Sequence, residues 1–403
     1  MTLIPTPTSP TRSNTEIRSS TQCPPLPLDT LLPLPVTTLS ATSWRTAYPQ
    51  IGQFAMTESE EVVAAGPDGL FYFKRVQDHA SRPWTEPRPL PNTMAMLNDS
   101  SVSGLAIHVS ELLREASAKP RLDVYCVSGG VLHNFCRSGE PGSWFVANPR
   151  PPLPDYVVNG TPSIVTAYDS YRGLRKCSLV VPCLSGGLLH TSGTSPSASS
   201  LRSSKNPEAS EALEWEPADL IATELGFISA VSIAATRTRG AGFADKDIVA
   251  VCIAGARLHT VEGRLMEEPG CQSRSVKWKP QKPTKIHHPG EVIGNPVLLK
   301  TRSSANLDLL VPSAEGGVFH FIRTSSTPDE WRMIARVAFP QNLPPVSCLA
   351  LVHFRSYCHQ EDKFSAVVQS SGRLYQMKTD EGANPWSGSR LKPIMAPGPA
   401  PSD

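Results

Sequence analysis

LDVYCVSGGVLHNF (residues 122–135) and its second copy, LDLLVPSAEGGVFHFI (residues 307–322), decide the fold of this chain. Each opens on an apolar, β-branched run, breaks at glycines and resumes as an apolar pair ending in His. Two strand-like runs about a glycine turn read as a β-hairpin. The second half of that hairpin returns six times: GLFY at 69–72, GVLH at 130–133, GLLH at 187–190, ARLH at 256–259, GVFH at 317–320 and GRLY at 372–375. The steps between copies are 61, 57, 69, 61 and 55 residues. A supersecondary unit recurring at that period means a closed or stacked array.

The rest of the unit is readable from the same alignment. A third apolar run precedes most copies, as in SGLAIHV, PSIVTAY, SAVSIAA, NPVLLK and SCLALVHF. A tryptophan follows every copy: Trp84, Trp144, Trp215, Trp278, Trp331 and Trp386. That makes about four short strands per repeat, with no helical periodicity over a useful window. Four-stranded antiparallel units repeated radially are the blades of a β-propeller. The expected fold is therefore all-β, with blades starting near residues 45, 100, 160, 227, 292 and 345. A sandwich would not repeat Gly-x-x-His and Trp in register, and a solenoid would have shorter repeats. Six blades are favoured over seven, because the segment before the seventh tryptophan, Trp44, lacks the hairpin pattern.

Composition sets the boundaries. Residues 1–40 are rich in Ser, Thr and Pro and read as a disordered extension, with an apolar LLPLPV stretch able to dock. Residues 41–395 read as one propeller domain and 396–403 as a flexible tail. A net charge of +2 without a basic tract argues against nucleic acid or an anionic membrane as partner. No run approaches a membrane span, and no secretory signal is visible. Nine cysteines, an odd number without a CxxC, read as reduced thiols in strands. The expectation is a cytoplasmic protein.

Catalytic signatures are missing: there is no HExxH, GxSxG, P-loop or Rossmann fingerprint. No cofactor and no metal are expected, and the spacing of His353, Cys358 and His359 is a weak metal signal. The six residues Tyr72, His133, His190, His259, His320 and Tyr375 read as equivalent by symmetry. A polar ring at a half-buried, repeated place needs a partner, such as a neighbouring strand or the tryptophan N–H. The other reading makes them the lining of repeated pockets between blades. A second near-repeat places arginines after the first strand of several blades: Arg172, Arg237, Arg302 and Arg355. In a propeller the first strand lines the channel, so these would converge at its mouth, beside Tyr168, Asp169 and His353. Guanidinium groups gathered there suit an anionic or carbonyl oxygen, although each has acidic neighbours with which to pair.

The repeat, in which an LDV-type strand precedes a glycine turn, Leu-x-His and a tryptophan strand, resembles the lectin-type propellers of the fucose-lectin kind over roughly residues 50–392. The resemblance implies the fold and, less directly, sugar binding. Unlike a multivalent lectin, however, the blades differ in length and loop content, as in the Ser-rich insert 191–210. Irregular loops on a symmetric ring suggest one asymmetric pocket. In length and style the chain is also similar to the fungal propeller hetero-Diels–Alderases, which join a tropolone quinone methide to a humulene-type terpene. That resemblance implies a cofactor-free cyclase with small-molecule substrates. Arg302, Arg355 and His353 would be catalytic and Tyr168 and Arg237 substrate-binding. Holding two reactants in near-attack geometry can supply about 7–11 kcal/mol of the barrier, and the arginines would stabilise an oxygen gaining charge.

Overall fold

The computed structural model describes the chain from Val36 to Ile394 apart from residues 39–51, 77–83, 92, 94–96, 98–100, 111–120, 138–143, 148–150, 152, 154–155, 170–173, 195–212, 237–246, 268–273, 280–282, 302–305, 342, 356–361, 379–385 and 387–388. The described residues belong to one compact unit. Residues 1–35 and the tail 395–403 lie outside the described residues, as does Trp44.

Six antiparallel sheets follow one another along the chain. Blade 1 is Phe54–Met56, Glu61–Gly66, Gly69–Lys74 and Arg88–Pro89. Blade 2 is Val102–Ser110, Arg121–Ser128, Val131–Arg137 and Trp144–Val146. Blade 3 is Ser163–Asp169, Leu174–Pro182, Leu188–Thr194 and Glu214–Trp215, with Asp219–Ile221 also on its third strand. Blade 4 is Ile228–Thr236, Asp247–Ala254, Arg257–Glu267 and Arg274–Trp278, with Thr284–Ile286 added in the same way. Blade 5 is Val297–Lys300, Leu307–Pro312, Val318–Arg323 and Arg332–Ala338. Blade 6 is Cys348–Arg355, Asp362–Ser370, Arg373–Lys378 and Lys392–Pro393.

First strands of successive blades touch all round, blade 6 against blade 1 included, so they encircle a common axis. This is the six-bladed propeller expected from the repeat. Its first strands begin within ten residues of the expected blade starts. One detail differs. Val36–Thr38, inside the stretch read as disordered, is a fifth strand paired in parallel with Arg336–Ala338 at the outer edge of blade 5. It covers an edge that would otherwise present unpaired backbone groups. The ring itself closes by packing of blade 6 on blade 1, not by a shared strand.

Six apolar clusters hold the ring, one at each blade interface. Both faces of a blade are thus buried, and its middle strands are apolar without alternation. All eight residues of Arg121–Ser128 are buried. The small first residue of the repeated pattern has a backbone reason. Gly317 sits at φ +87°, and a Cβ there would lie 1.9 Å from the Val337 carbonyl oxygen. Six described cysteines, Cys126, Cys136, Cys177, Cys183, Cys252 and Cys348, are buried and in no disulfide. Burial lifts the thiols of Cys126 and Cys252 to about 12. Among the described residues no helix is long and apolar enough to cross a membrane.

Candidate functional site

The six His and Tyr of the repeat are not equivalent, which corrects the reading by symmetry. In blade 2 a two-residue turn closes the hairpin at Ser128 and Val131. In blade 5 the turn is longer and closes at Pro312 and Val318. In blade 1 the pattern's glycine is already inside the strand, paired with Gly66. A register change of one residue moves a side chain to the other face of the sheet. Tyr72, His190 and His320 therefore face the following blade, where their rings meet Trp144, Trp278 and Trp386 at 5.8, 5.3 and 5.9 Å. His133, His259 and Tyr375 face the preceding blade. His133 stacks beside Phe135, and Tyr375 packs in the cluster shared with blade 5.

The register defines a different ring that has the full sixfold repeat. On the third strand, the position facing the following blade holds Tyr72, Asn134, His190, Thr260, His320 and Gln376, and all are buried or nearly so. Each is polar, and the next blade's tryptophan packs toward this interface. Trp331 Nε1–H donates to Thr260 Oγ1 at 3.0 Å and Trp386 Nε1–H to His320 Nδ1 at 3.0 Å. His320 Nε2 then meets Asp308 Oδ1 at 2.8 Å, so the neutral ring accepts from indole and donates to carboxylate. This is the tryptophan hydrogen bond expected of a structural ring.

Three interfaces add an arginine from the following blade: Arg137 and Arg323, each the last residue of its third strand, and Arg75, one residue past its own. Arg137 Nη2–H donates to Glu61 Oε1 across the 1/2 interface at 3.0 Å. Its guanidinium carbon lies 4.8 Å from the Tyr72 ring centroid and 5.6 Å from that of Trp144. The Tyr72 hydroxyl donates to the same Glu61 oxygen at 2.5 Å; burial and then this carboxylate push its pKa up to about 12. At the 4/5 interface Arg323 Nη2–H donates to Glu262 Oε1 at 2.5 Å and lies 5.9 Å from the Trp331 ring. Lys279 bonds the other oxygen of Glu262. Burial alone would raise Glu262, but Lys279 and Arg323 outweigh it and hold the carboxyl below its ordinary range. At the 6/1 interface Arg75 meets Glu60 at 2.5 Å, and Gln376 Nε2–H of blade 6 donates to Glu60 at 3.0 Å. Glu60 holds φ +57°, a costly conformation for a side-chain-bearing residue, of the kind that gathers at functional sites.

Two of these arginines keep a buried donor without a partner among the described residues: Arg137 Nε and Arg323 Nη1. Buried N–H groups are normally satisfied, so each orphan calls for an acceptor. A guanidinium donor, a carboxylate acceptor and an aromatic face can bind a polar molecule that has one apolar surface. The sequence reading missed these residues, although they carry a signal: Phe-x-Arg occurs as FKR at 73–75, FCR at 135–137 and FIR at 321–323.

The residues expected at the channel mouth are placed only by their backbone. Tyr168 is one residue from the end of the first strand of blade 3, and His353 and Arg355 close that of blade 6. Arg237 and Arg302 lie outside the described residues, just past the first strands of blades 4 and 5. All the first-strand ends are at the end of the ring that also carries the three arginine clusters. Among the described residues no three His, Cys, Asp or Glu side chains gather to hold a metal.

No family model matches the chain, and no curated protein matches it. Solved structures do. The lectin of Aleuria aurantia, a point mutant in complex with alpha-methyl-L-fucoside, is 13% identical, covers 88% of this chain and 99% of its own, and superposes with a TM-score of 0.51. The same mutant with Fucalpha1-6GlcNAc gives 0.52 over the same shares at 13% identity. AofleA from Arthrobotrys oligospora is 9% identical, with 86% and 90% covered and a TM-score of 0.49. At these identities the likeness to the Aleuria lectin shows a shared propeller fold and leaves function to the side chains.

Proposed function

We propose that this protein binds a fucose-like sugar in clefts between its blades, at the arginine–carboxylate–tryptophan clusters of the 1/2 and 4/5 interfaces. The observation that carries the reading is the pair of orphaned donors, Arg137 Nε and Arg323 Nη1, each beside a tryptophan and an interblade carboxylate. A pyranose presents adjacent hydroxyls, which accept from guanidinium and donate to carboxylate, and a C–H face, which lies on an aromatic ring. The Aleuria lectin was solved with fucosides, which makes alpha-methyl-L-fucoside the first probe. Calorimetric titration should give a stoichiometry above one. Arg137→Lys and Arg323→Lys keep the charge but lose the planar fork. Each should remove one site, and the double variant both. A wild type that binds no sugar on a glycan array, or a stoichiometry unmoved by both changes, sinks the reading.

A second reading, the cofactor-free cyclase, is supported by the backbone positions of Tyr168, His353 and Arg355 near the ends of their first strands; Arg237 and Arg302, which it also invokes, lie outside the described residues. Arginines there would hold a carbonyl or enolate oxygen, with Tyr168 and His353 orienting an apolar partner. Losing one such donor should cost about 10²–10³ in rate. Arg302→Met and Arg355→Met that leave rate and facial selectivity at wild-type values would end it.

A further inference from the structure

Away from the arginine clusters, the junction of blades 2 and 3 brings a thiol against an imidazole. His108 lies near the end of the first strand of blade 2. Thr166 and Cys177 are cross-strand partners in blade 3, so their side chains share a face of the sheet. Both reach His108 across the junction. His108 Nε2 is 3.5 Å from Cys177 Sγ and 3.1 Å from Thr166 Oγ1, and hydroxyl and thiol are 3.6 Å apart. Asp123, the cross-strand partner of His108, is a buried carboxylate to which Arg121 Nη2–H donates at 2.8 Å. A thiol beside an imidazole, with a carboxylate behind the ring, is the arrangement that activates a nucleophile.

A fourth group points to a ligand. Tyr125, two residues along from Asp123 on the same face, is fully buried, and its hydroxyl has no partner among the described residues. Burial, then Asp123 and Cys177, push its pKa well above the ordinary range, so the hydroxyl keeps its proton. It is a donor without an acceptor, near a thiol. Other cysteines lack such company. Burial lifts the thiols of Cys126 and Cys252 to about 12 and that of Cys348 to about 11. Among the described residues no imidazole nitrogen bonds their sulfurs.

We propose that Cys177 is a redox-active thiol that hydrogen peroxide oxidises to a sulfenic acid, with His108 as its base and Tyr125 as donor to the peroxide oxygen. The thiol gives its proton to His108 Nε2, and the thiolate attacks one oxygen of the peroxide. The S–O bond forms as the O–O bond breaks. The leaving hydroxide takes the proton back from the imidazolium, so the products are the sulfenic acid and water. Such oxidation follows thiolate character and access. Cys177 itself is only 3% exposed. His108 and Thr166, however, are half-buried and stand on first strands, which encircle the axis. An uncharged oxidant little larger than water would enter past them, and a bulky electrophile would not. Sugar binding concerns other junctions, so neither reading depends on the other.

The test is limiting hydrogen peroxide on the native full chain, then unfolding in a 1,3-diketone that traps sulfenic acid, then peptide mass mapping. Cys177 should carry the adduct ahead of Cys126, Cys252 and Cys348. His108→Gln should slow its oxidation by about tenfold or more. Tyr125→Phe, which removes only the donor, should slow it as well. Thermal melts check each variant's fold, and in urea all three proteins should oxidise at one rate, because the pairing is gone. A Cys177 that stays reduced in the wild type overturns the proposal, whether or not the variants fold. So does a wild-type rate of Cys177 oxidation in either folded variant.

Discussion

At the junction of blades 1 and 2 a guanidinium lies between Tyr72 and Trp144 and reaches Glu61. At the junction of blades 3 and 4 the place of that arginine is taken by Gly263, and Trp278 lies on it. A Cβ at Gly263 would sit 3.0 Å from Val276 Cγ1 and 3.1 Å from the indole. The polar residue beneath is His190, with Ser178 and Ser192 on the same face. His190 Nε2, Ser178 Oγ, Ser192 Oγ and Trp278 Nε1 are buried and have no partner among the described residues. Gly193 repeats the glycine at the 2/3 junction, with Trp215 at 3.0 Å from its would-be Cβ. The scaffold therefore asks for a tryptophan over a polar third-strand residue. Whether an arginine or a glycine stands beside it decides between a junction with a largely buried ion pair and one without.

Breaking the charged member should have the largest effect on stability. Arg137 and Glu61 are 8% and 14% exposed. Arg137→Met leaves Glu61 without its cation, and breaking such a buried pair costs about 3–5 kcal/mol. The solvent still reaching Glu61 should place the loss at the lower end. Adding Glu61→Gln should recover most of it, because the uncompensated charge is then gone. Urea unfolding of the two single variants and the double gives the coupling directly. Equal losses in Arg137→Met and in the double variant would mean that the arginine matters for packing on Tyr72 and Trp144 instead.

The second contrast is in pH. Burial, and after it Lys176, pushes the pKa of His190 from 6.5 down to about 4. The folded protein keeps the ring neutral, whereas the unfolded chain takes its proton near 6.5. This contribution is complete above pH 6.5 and shrinks as the pH falls toward 4, by up to about 3 kcal/mol. At the charged junction the shifted group is Tyr72, raised to about 12. There the unfolded chain ionises first, so stability falls only as the pH rises past 10. Unfolding of wild type and His190→Asn across pH 4–7 should give a flatter slope for the variant. His259 and His288 are also held below their ordinary values, so the difference between the two proteins is the readout. Parallel slopes would show that the proton reaches His190 in the folded state.

The fold was legible because its signals are local and repeated. The glycine turns, the apolar hairpin strands and the six tryptophans each keep their place in the blade, and 122–135 alone contains two strands and their turn. The faces were not legible. Blade 5 differs from blade 2 only by a longer turn, Ser313 to Gly317 against Gly129–Gly130, yet that change sends His320 and His133 to opposite neighbours. Letter-for-letter alignment cannot see it, because the side-chain period of a strand is two residues. The arginine clusters were hidden for a related reason. Glu61 and Arg137 meet across 76 residues, and nothing near Glu61 in sequence announces its partner. Arginines follow the first strands as well, and that more frequent signal masks the third-strand Phe-x-Arg, which only three blades carry.

The smallest effect tests the part shared by all six junctions. Thr260 and His320 occupy the same ring position, and each accepts the indole N–H of the next blade. Trp386 is fully buried, whereas Trp331 is half-buried. Thr260→Val keeps the shape and removes the acceptor; Trp331 is only half-buried, so the loss should be about 1 kcal/mol. At the buried junction no water can substitute. His320→Leu strands the Trp386 N–H together with Asp308, whose Oδ2 already lacks a partner among the described residues, and should lose clearly more. Denaturant midpoints of the two variants measure the contrast. If Thr260→Val proves as damaging as His320→Leu, the hydrogen bond holds the tryptophan against the neighbouring blade regardless of solvent, and the polar ring is a structural requirement of the propeller at half-buried and buried junctions alike.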